Sequence, residues 1–176
     1  MSERKQNKKI DKRAPVIVGV GDLVDRSKED GLNPQELLAK ACEHAIQDSG
    51  IKELNKHIDY IGVVRFTVDF LTATNQSNFQ YSNFPRTLAN KLDVSANHEV
   101  YAPMGGNSPQ VLLEDALVKI STGETDCALL SGGEALQTMI AKLKAGMSLD
   151  WLDEPGGSPE MIGNNDIGFS DHEKLH

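Results

Sequence analysis

Short runs of valine, isoleucine and leucine alternate with longer segments whose apolar residues recur at helical spacing, and this alternation limits the folds open to the chain. The first run, Pro15-Val16-Ile17-Val18-Gly19-Val20, has the β-branched composition of a strand buried on both faces. Asn33-Pro34 then reads as an N-cap with proline at the first helical position, and Leu38, Ala41, Cys42, Ala45 and Ile46 follow at i, i+3, i+4, i+7 and i+8 until Gly50 closes the helix. A second strand is expected over residues 58–66, a shorter helix from Pro85 to Leu92, and a third strand over 98–103. Ser108-Pro109 opens a long helix with Leu113, Ala116, Leu117 and Ile120 on one stripe, ended by Gly123. The fourth strand is expected over 126–131, and Gly132-Gly133 turns into a last helix from about Glu134 to Lys144. Four strand-helix pairs in strict alternation predict an α/β fold: a mostly parallel sheet of four strands with helices on both faces.

Charge and composition exclude several function classes. The 176 residues carry a formal charge of −8, but residues 1–13 hold six Lys/Arg against two acids, leaving a body of net −12 that argues against duplex nucleic acid as a partner. No run approaches the ~20 apolar residues that cross a bilayer, so no membrane partner and a cytoplasmic location are expected. Two cysteines make no disulfide framework, and no Cys/His cluster has zinc spacing. The expected organisation is a basic disordered leader at 1–13, an α/β domain at 14–145, and a truncated loop or capping region at 146–176. In that last stretch Trp151, Leu152, Met161, Ile162, Ile167 and Phe169 are too many apolar groups for a segment that packs on nothing.

Two glycine-bearing turns are candidate sites. Val18-Gly19-Val20-Gly21-Asp22 has the first two glycines of a dinucleotide fingerprint, but the third is absent and the helix starts only near Pro34, so a tight strand exit is the favoured reading. Met104-Gly105-Gly106-Asn107-Ser108 is richer in chemistry. Its glycine pair lies between a strand and a proline-started helix, where free amides and the helix dipole stabilise negative charge, although a sharp capped turn would use the same residues. Cys42 and Cys127 fall on a helix stripe and in a strand, as inert core thiols do. His44, His57, His98, His172 and His176 have no ligand-spaced partners, and Asp171-His172-Glu173 is too local to converge on a metal, so no metal site is expected. Glu134 is expected to be a first-turn carboxylate favoured by the helix dipole.

Four segments in order give the chain a family resemblance: Pro15 to Gly21, Asn83-Phe84-Pro85-Arg86-Thr87-Leu88-Ala89, Gly105-Gly106-Asn107-Ser108-Pro109-Gln110, and Leu129-Leu130-Ser131-Gly132-Gly133-Glu134-Ala135. Over most of residues 14–152 the sequence resembles the N-terminal half of the thiolase superfamily, specifically thiolase-like proteins of the acetyl-CoA acetyltransferase type. The resemblance implies a half of a duplicated, five-layered α-β-α-β-α body, without its fifth strand. It implies acyl-CoA as partner, with the coenzyme A thioester as substrate rather than a covalently held cofactor, over Met104, Gly105, Gly106, Asn107 and Ser108. A thiolase carries its acyl-accepting cysteine at the N-terminus of the third helix, and the resemblance puts Gly105 there, so the chain is expected to be inactive alone. The general base and second cysteine of the family belong to a C-terminal half, or to a partner subunit, and an uncovered face would favour self-association. Two other functions fit the sequence: a non-catalytic thiolase-fold scaffold subunit of an acyl-processing complex, and an unrelated nucleotide-binding α/β domain.

Overall fold

The computed structural model describes residues 11–67, 69, 81–151 and 153–163. Helix α1 (Pro34–Asp48) starts with a full capping box: Asn33 Oδ1 accepts from the Glu36 N–H at 2.8 Å, and Glu36 Oε2 accepts from the Asn33 N–H at 3.3 Å. It ends before Gly50, which takes the left-handed φ of +64° that a side chain would resist. The strands and helices that follow are β1 (Tyr60–Val64), α2 (Phe84–Lys91), β2 (His98–Ala102), α3 (Ser108–Thr122), β3 (Ala128–Ser131), α4 (Leu136–Lys144) and β4 (Glu160–Met161).

The four strands form one all-parallel sheet in the order β3-β1-β2-β4. Its central register is fixed by Tyr60 opposite both His98 and Ala128, with Val63 opposite Tyr101 and Ser131. Period-two alternation then sorts the side chains into two layers. Ile61, Val63, Tyr101 and Leu129 face one way and join Leu38 and Cys42 of α1 and Leu88 of α2 in the larger core. Tyr60, Val100 and Ala102 face the other way and pack on Leu112 and Ala116 of α3. Gly62 lies on that second face because nothing larger fits: a Cβ there would stand 2.7 Å from Leu112 Cδ1 and 2.9 Å from Tyr60 Cε1.

One sequence expectation needs correction. Pro15 to Val20 belongs to no strand, and Val16, Ile17, Val18 and Val20 are exposed by 47–80%. The physical reason is a missing neighbour: the segment reaches α1 but stands clear of β3, so its backbone has no ladder to join. The fourth strand is instead Glu160–Met161, beyond β2 at the other edge of the sheet. The stripe on α3 holds together: Leu113, Ala116, Leu117 and Ile120 all line one cavity beside β3, and Ala116 also packs with the buried Leu112.

The stretch after α4 does pack. Leu149 and Trp151 are buried in the larger core, and the Trp151 carbonyl accepts from Gln35 Nε2 at 3.3 Å. Beside β4, His98 lies 3.6 Å from Glu124 and 3.5 Å from Glu160, while Lys119 Nζ is 2.8 Å and 3.5 Å from the same two carboxylates. Of the proposed leader only Asp11, Lys12 and Arg13 are described. The Arg13 guanidinium lies over Gly123, which has φ of +79° at the end of α3. A cation there complements the negative end of the helix.

Candidate functional site at the carboxyl ends of the strands

In a parallel α/β sheet the loops that leave the carboxyl ends of the strands converge on one rim, where ligands of such folds bind. Here β1 runs into Arg65, β2 into Pro103 and Met104, and β3 into Gly132 and Gly133. The Met104–Ser108 loop therefore lies on this rim, as its sequence suggests. Gly105, Gly106 and Asn107 are exposed, Met104 is half-buried, and Ser108 is buried.

The loop is a tight turn into α3. The Ser108 N–H donates to the Gly105 carbonyl at 3.1 Å, and the Gln110 and Val111 N–H groups donate to the Asn107 carbonyl at 3.0 and 3.1 Å. Asn107 is the N-cap residue but its side chain caps nothing, and its φ of −95° is helical rather than extended. The Gly106 and Asn107 N–H groups make no hydrogen bond among the described residues, so two donors stand free at the positive end of a fifteen-residue helix. Neither Gly105 nor Gly106 has a positive φ. A Cβ on Gly105 would meet only Ser108 Oγ at 3.1 Å and Asn107 Oδ1 at 3.3 Å, and one on Gly106 would meet nothing within 4 Å. Glycine here is thus not demanded by the backbone; it leaves open space in front of the helix.

Behind the loop is a polar lock that the sequence did not reveal. Asp69 is buried, with Oδ2 2.9 Å from the Tyr101 hydroxyl that donates to it and 3.1 Å from Arg65 Nε, while its Oδ1 accepts from the Tyr81 N–H at 3.3 Å. The Arg65 guanidinium also stacks over the Tyr101 ring, 4.7 Å from its centre. Burial, and then the Asp69 charge, push the Tyr101 phenol well above its ordinary pKa, so it serves as a permanent donor. The only sequence signal was Arg65 four residues before Asp69, just past a strand end.

The other candidates take structural positions. Glu134 lies outside α4, whose N-cap is Ala135; its Oε2 accepts from the Thr67 N–H at 2.8 Å and ties the β3 exit to the β1 exit, correcting its assignment to a first helical turn. Asn83 is fully buried as the α2 cap and donates to Glu99 Oε2 at 3.0 Å; Glu99 Oε1 accepts from Arg86 Nε at 2.8 Å. Cys42 is buried and its thiol pKa is raised by burial, with Ser131 opposing the shift by a hydrogen bond. Cys127 is half-buried and likewise raised, by burial first and then by the Asp59 and Asp126 charges. Neither is on the Met104–Ser108 loop, and neither has the electropositive setting of a reactive thiolate.

His44 Nδ1 is 2.9 Å from the Asp22 carbonyl, and His57 is an exposed residue after a 3₁₀ turn. His172 and His176, with Asp171 and Glu173, lie outside the described residues. Among the described residues no three His, Cys, Asp or Glu side chains form a metal-sized group. No helix among them is long and apolar enough to cross a membrane. Gly19 and Gly21 press on the backbone of α1, where a Cβ would lie 2.2 Å from the Ala45 carbonyl oxygen and 2.3 Å from that of Ala41. That contact, rather than a strand exit or a pyrophosphate, is what requires glycine in the Val18–Asp22 stretch.

Comparison with known proteins agrees with this architecture. No protein-family model and no curated protein sequence matches the chain. Among solved structures it is similar to that of a monomeric SCP2-thiolase like protein type 1 (STLP1) from Mycobacterium smegmatis, with 32% sequence identity and a TM-score of 0.56 over 69% of this chain. The matched part is 24% of that protein, so the chain spans about a quarter of its length. The fold is thiolase-like α/β.

Proposed function

We propose that this chain is the N-terminal, acyl-CoA-binding part of a thiolase-like protein of the acetyl-CoA acetyltransferase type, and that it has no acyl-accepting nucleophile of its own. The observation that carries the reading is the Met104–Ser108 turn: two free amides at the start of α3, on the ligand-binding rim of the sheet, facing open space. Such donors suit the developing negative charge on a thioester oxygen. The 32% identity to an SCP2-thiolase-like protein supports the assignment of that rim to thioester chemistry.

In this reading a CoA thioester lies over the turn, with its carbonyl oxygen toward the Gly106 and Asn107 amides. Asp69, held by Arg65 and Tyr101, fixes the end of β2 from which the turn departs and so positions the donors. Covalent acyl transfer would need a polarisable nucleophile at the helix start, and Gly105 offers only backbone there. Cys42 and Cys127, with raised thiol pKa values, do not replace it. Proton transfer and any nucleophile belong to polypeptide outside these residues.

Calorimetric titration with acetyl-CoA, desulfo-CoA and NAD tests the assignment. Heat from both CoA compounds and none from NAD is the expected result. Heat from NAD alone would replace this reading with a nucleotide-binding domain, and no heat from any of the three would favour a scaffold subunit.

A further inference from the structure

Residues 153–163 form a strap that ends on the β2 edge of the sheet, and its two ends are held differently. The upstream end hangs on groups that do not titrate between pH 5 and 8: the Gly156 carbonyl accepts from Asn83 Nδ2 and from Arg86 Nη1, each at 3.4 Å. The downstream end pairs with β2 over two residues, Glu160 opposite Val100 and Met161 opposite Tyr101, and the Ile162 N–H donates to the Tyr101 carbonyl at 3.4 Å. It then reaches the candidate site. A Cβ on Gly163 would stand 3.1 Å from Pro103 Cδ and 3.7 Å from Val111 Cγ1, so this residue lies against the chain on both sides of the Met104–Ser108 turn.

At that downstream end a histidine stands between two carboxylates. His98 Nδ1 is 3.5 Å from Glu160 Oε2, and Nε2 is 3.6 Å from Glu124 Oε1. A neutral imidazole has one N–H and turns a lone pair toward one of these anions, whereas the imidazolium presents a proton to each. Lys119 does not make up the difference: its Nζ is 2.8 Å from Glu124 but 3.5 Å from Glu160, so the strap's own carboxylate is the less well served. Among the described residues, the groups on the neighbouring elements are acids or neutral. Tyr60 of β1 is 6.1 Å away ring to ring and donates its hydroxyl to Asp115 of α3. The Asp59 carbonyl accepts the His98 N–H, while its carboxylate accepts from the Asp126 and Cys127 amides, and Glu99 is bound to Arg86. With His98 neutral, Lys119 alone offsets Glu124 and Glu160; with His98 charged, two cations face two anions.

The geometry points to a pH-operated latch: charged His98 holds residues 160–163 on β2 and against the Met104–Ser108 turn, and neutral His98 lets them loosen. Imidazole is the side chain that changes charge between pH 5 and 8, whereas carboxylates and lysine amines ordinarily keep theirs. The latch therefore closes toward acid and opens as the pH rises. Because Gly163 lies against Pro103 and Val111, closing it braces the turn whose amides face the thioester. What the turn binds rests on the acyl-CoA reading; whether the strap docks does not, so a ligand-free measurement separates the two.

The test follows amide hydrogen exchange and amide chemical shifts of the 176-residue chain by NMR between pH 5.5 and 8, without ligand. Protection of the Ile162 amide, corrected for the intrinsic pH dependence of exchange, is expected to fall roughly two- to fivefold as the His98 ring loses its proton, the size of one exposed ion pair. The Gly105, Gly106, Asn107 and Ser108 amide shifts are expected to follow the same midpoint. His98→Gln should abolish both responses. Glu160→Gln should abolish them too while the His98 ring still titrates, so the outcome does not depend on one variant folding. Constant Ile162 protection while His98 titrates, a response that survives in either variant, or turn amides that do not follow the strap would overturn the proposal. Desulfo-CoA that fails to bind while these responses hold would remove the acyl-CoA reading and leave the latch standing.

Discussion

Gly105→Cys puts a thiol in front of α3 and measures what the turn does to a negative charge. The backbone tolerates the change, since Gly105 has no positive φ and the new Cβ meets only two side-chain atoms, Ser108 Oγ at 3.1 Å and Asn107 Oδ1 at 3.3 Å. Both can give by a few tenths of an ångström, so the cost in stability should be within about 1 kcal/mol. A charge at an exposed helix N-terminus gains roughly 0.3–1 kcal/mol. At about 1.36 kcal/mol per pKa unit, the thiol pKa should fall by roughly 0.2–0.7 unit from the ~8.5 of a free cysteine. The assay is the pH dependence of iodoacetamide alkylation at that residue, read by peptide mass spectrometry. Adding Asn107→Asp should move the midpoint back up, because a carboxylate beside the thiolate opposes its charge. A midpoint at or above that of a free thiol would mean that the amides and dipole do not act on this point, and the turn would lose its claim to bind an oxyanion.

Other outcomes follow from the same structure. All three tyrosines, Tyr60, Tyr81 and Tyr101, have pKa values raised by burial, so the folded state holds protons that the unfolded chain releases near pH 10. Their contribution is present below that pH and lost above it, by up to about 1.4 kcal/mol per pH unit for each tyrosine; denaturant unfolding from pH 9 to 11.5 should show the decline, and a flat profile would contradict it. Asp69→Ala should cost about 3–5 kcal/mol by leaving Arg65 and Tyr101 without their carboxylate, and a midpoint shift smaller than ~1 kcal/mol would show the lock to be unimportant. Gly62→Ala should cost about 1–3 kcal/mol through overlap with Leu112 and Tyr60, checked by the same unfolding assay. With four β-branched side chains of residues 16–20 exposed, the isolated chain should self-associate at high concentration, and strictly monomeric light scattering would count against that.

What could be read in the sequence depended on whether the determinants were local. The Asn33-Pro34 and Ser108-Pro109 helix starts and the left-handed Gly50 and Gly123 are set by neighbouring residues, and all four took the places expected of them. The Met104–Ser108 turn was legible for the same reason. Strand membership is not local. Val16-Ile17-Val18 has strand composition, yet a strand exists only where another backbone stands about 4.8 Å away, and no segment among the described residues does so. Glu160–Met161, with no such composition, is a strand because β2 has an open edge beside it. The Arg65–Asp69–Tyr101 lock joins residues far apart in sequence, so no spacing rule could announce it. Glu134 failed by a smaller margin, since α4 starts two residues later than the Gly132-Gly133 turn suggested.

The central claim concerns where a CoA thioester meets this chain, and an amide-resolved NMR titration with desulfo-CoA addresses it directly. Desulfo-CoA keeps the nucleotide and pantetheine portions but cannot react, so the perturbations report binding alone. The largest saturable shifts are expected at Gly105, Gly106, Asn107 and Ser108. Saturable binding that leaves these four amides unmoved, with its shifts elsewhere on the sheet, would contradict the assignment of the Met104–Ser108 turn as the acyl-CoA site.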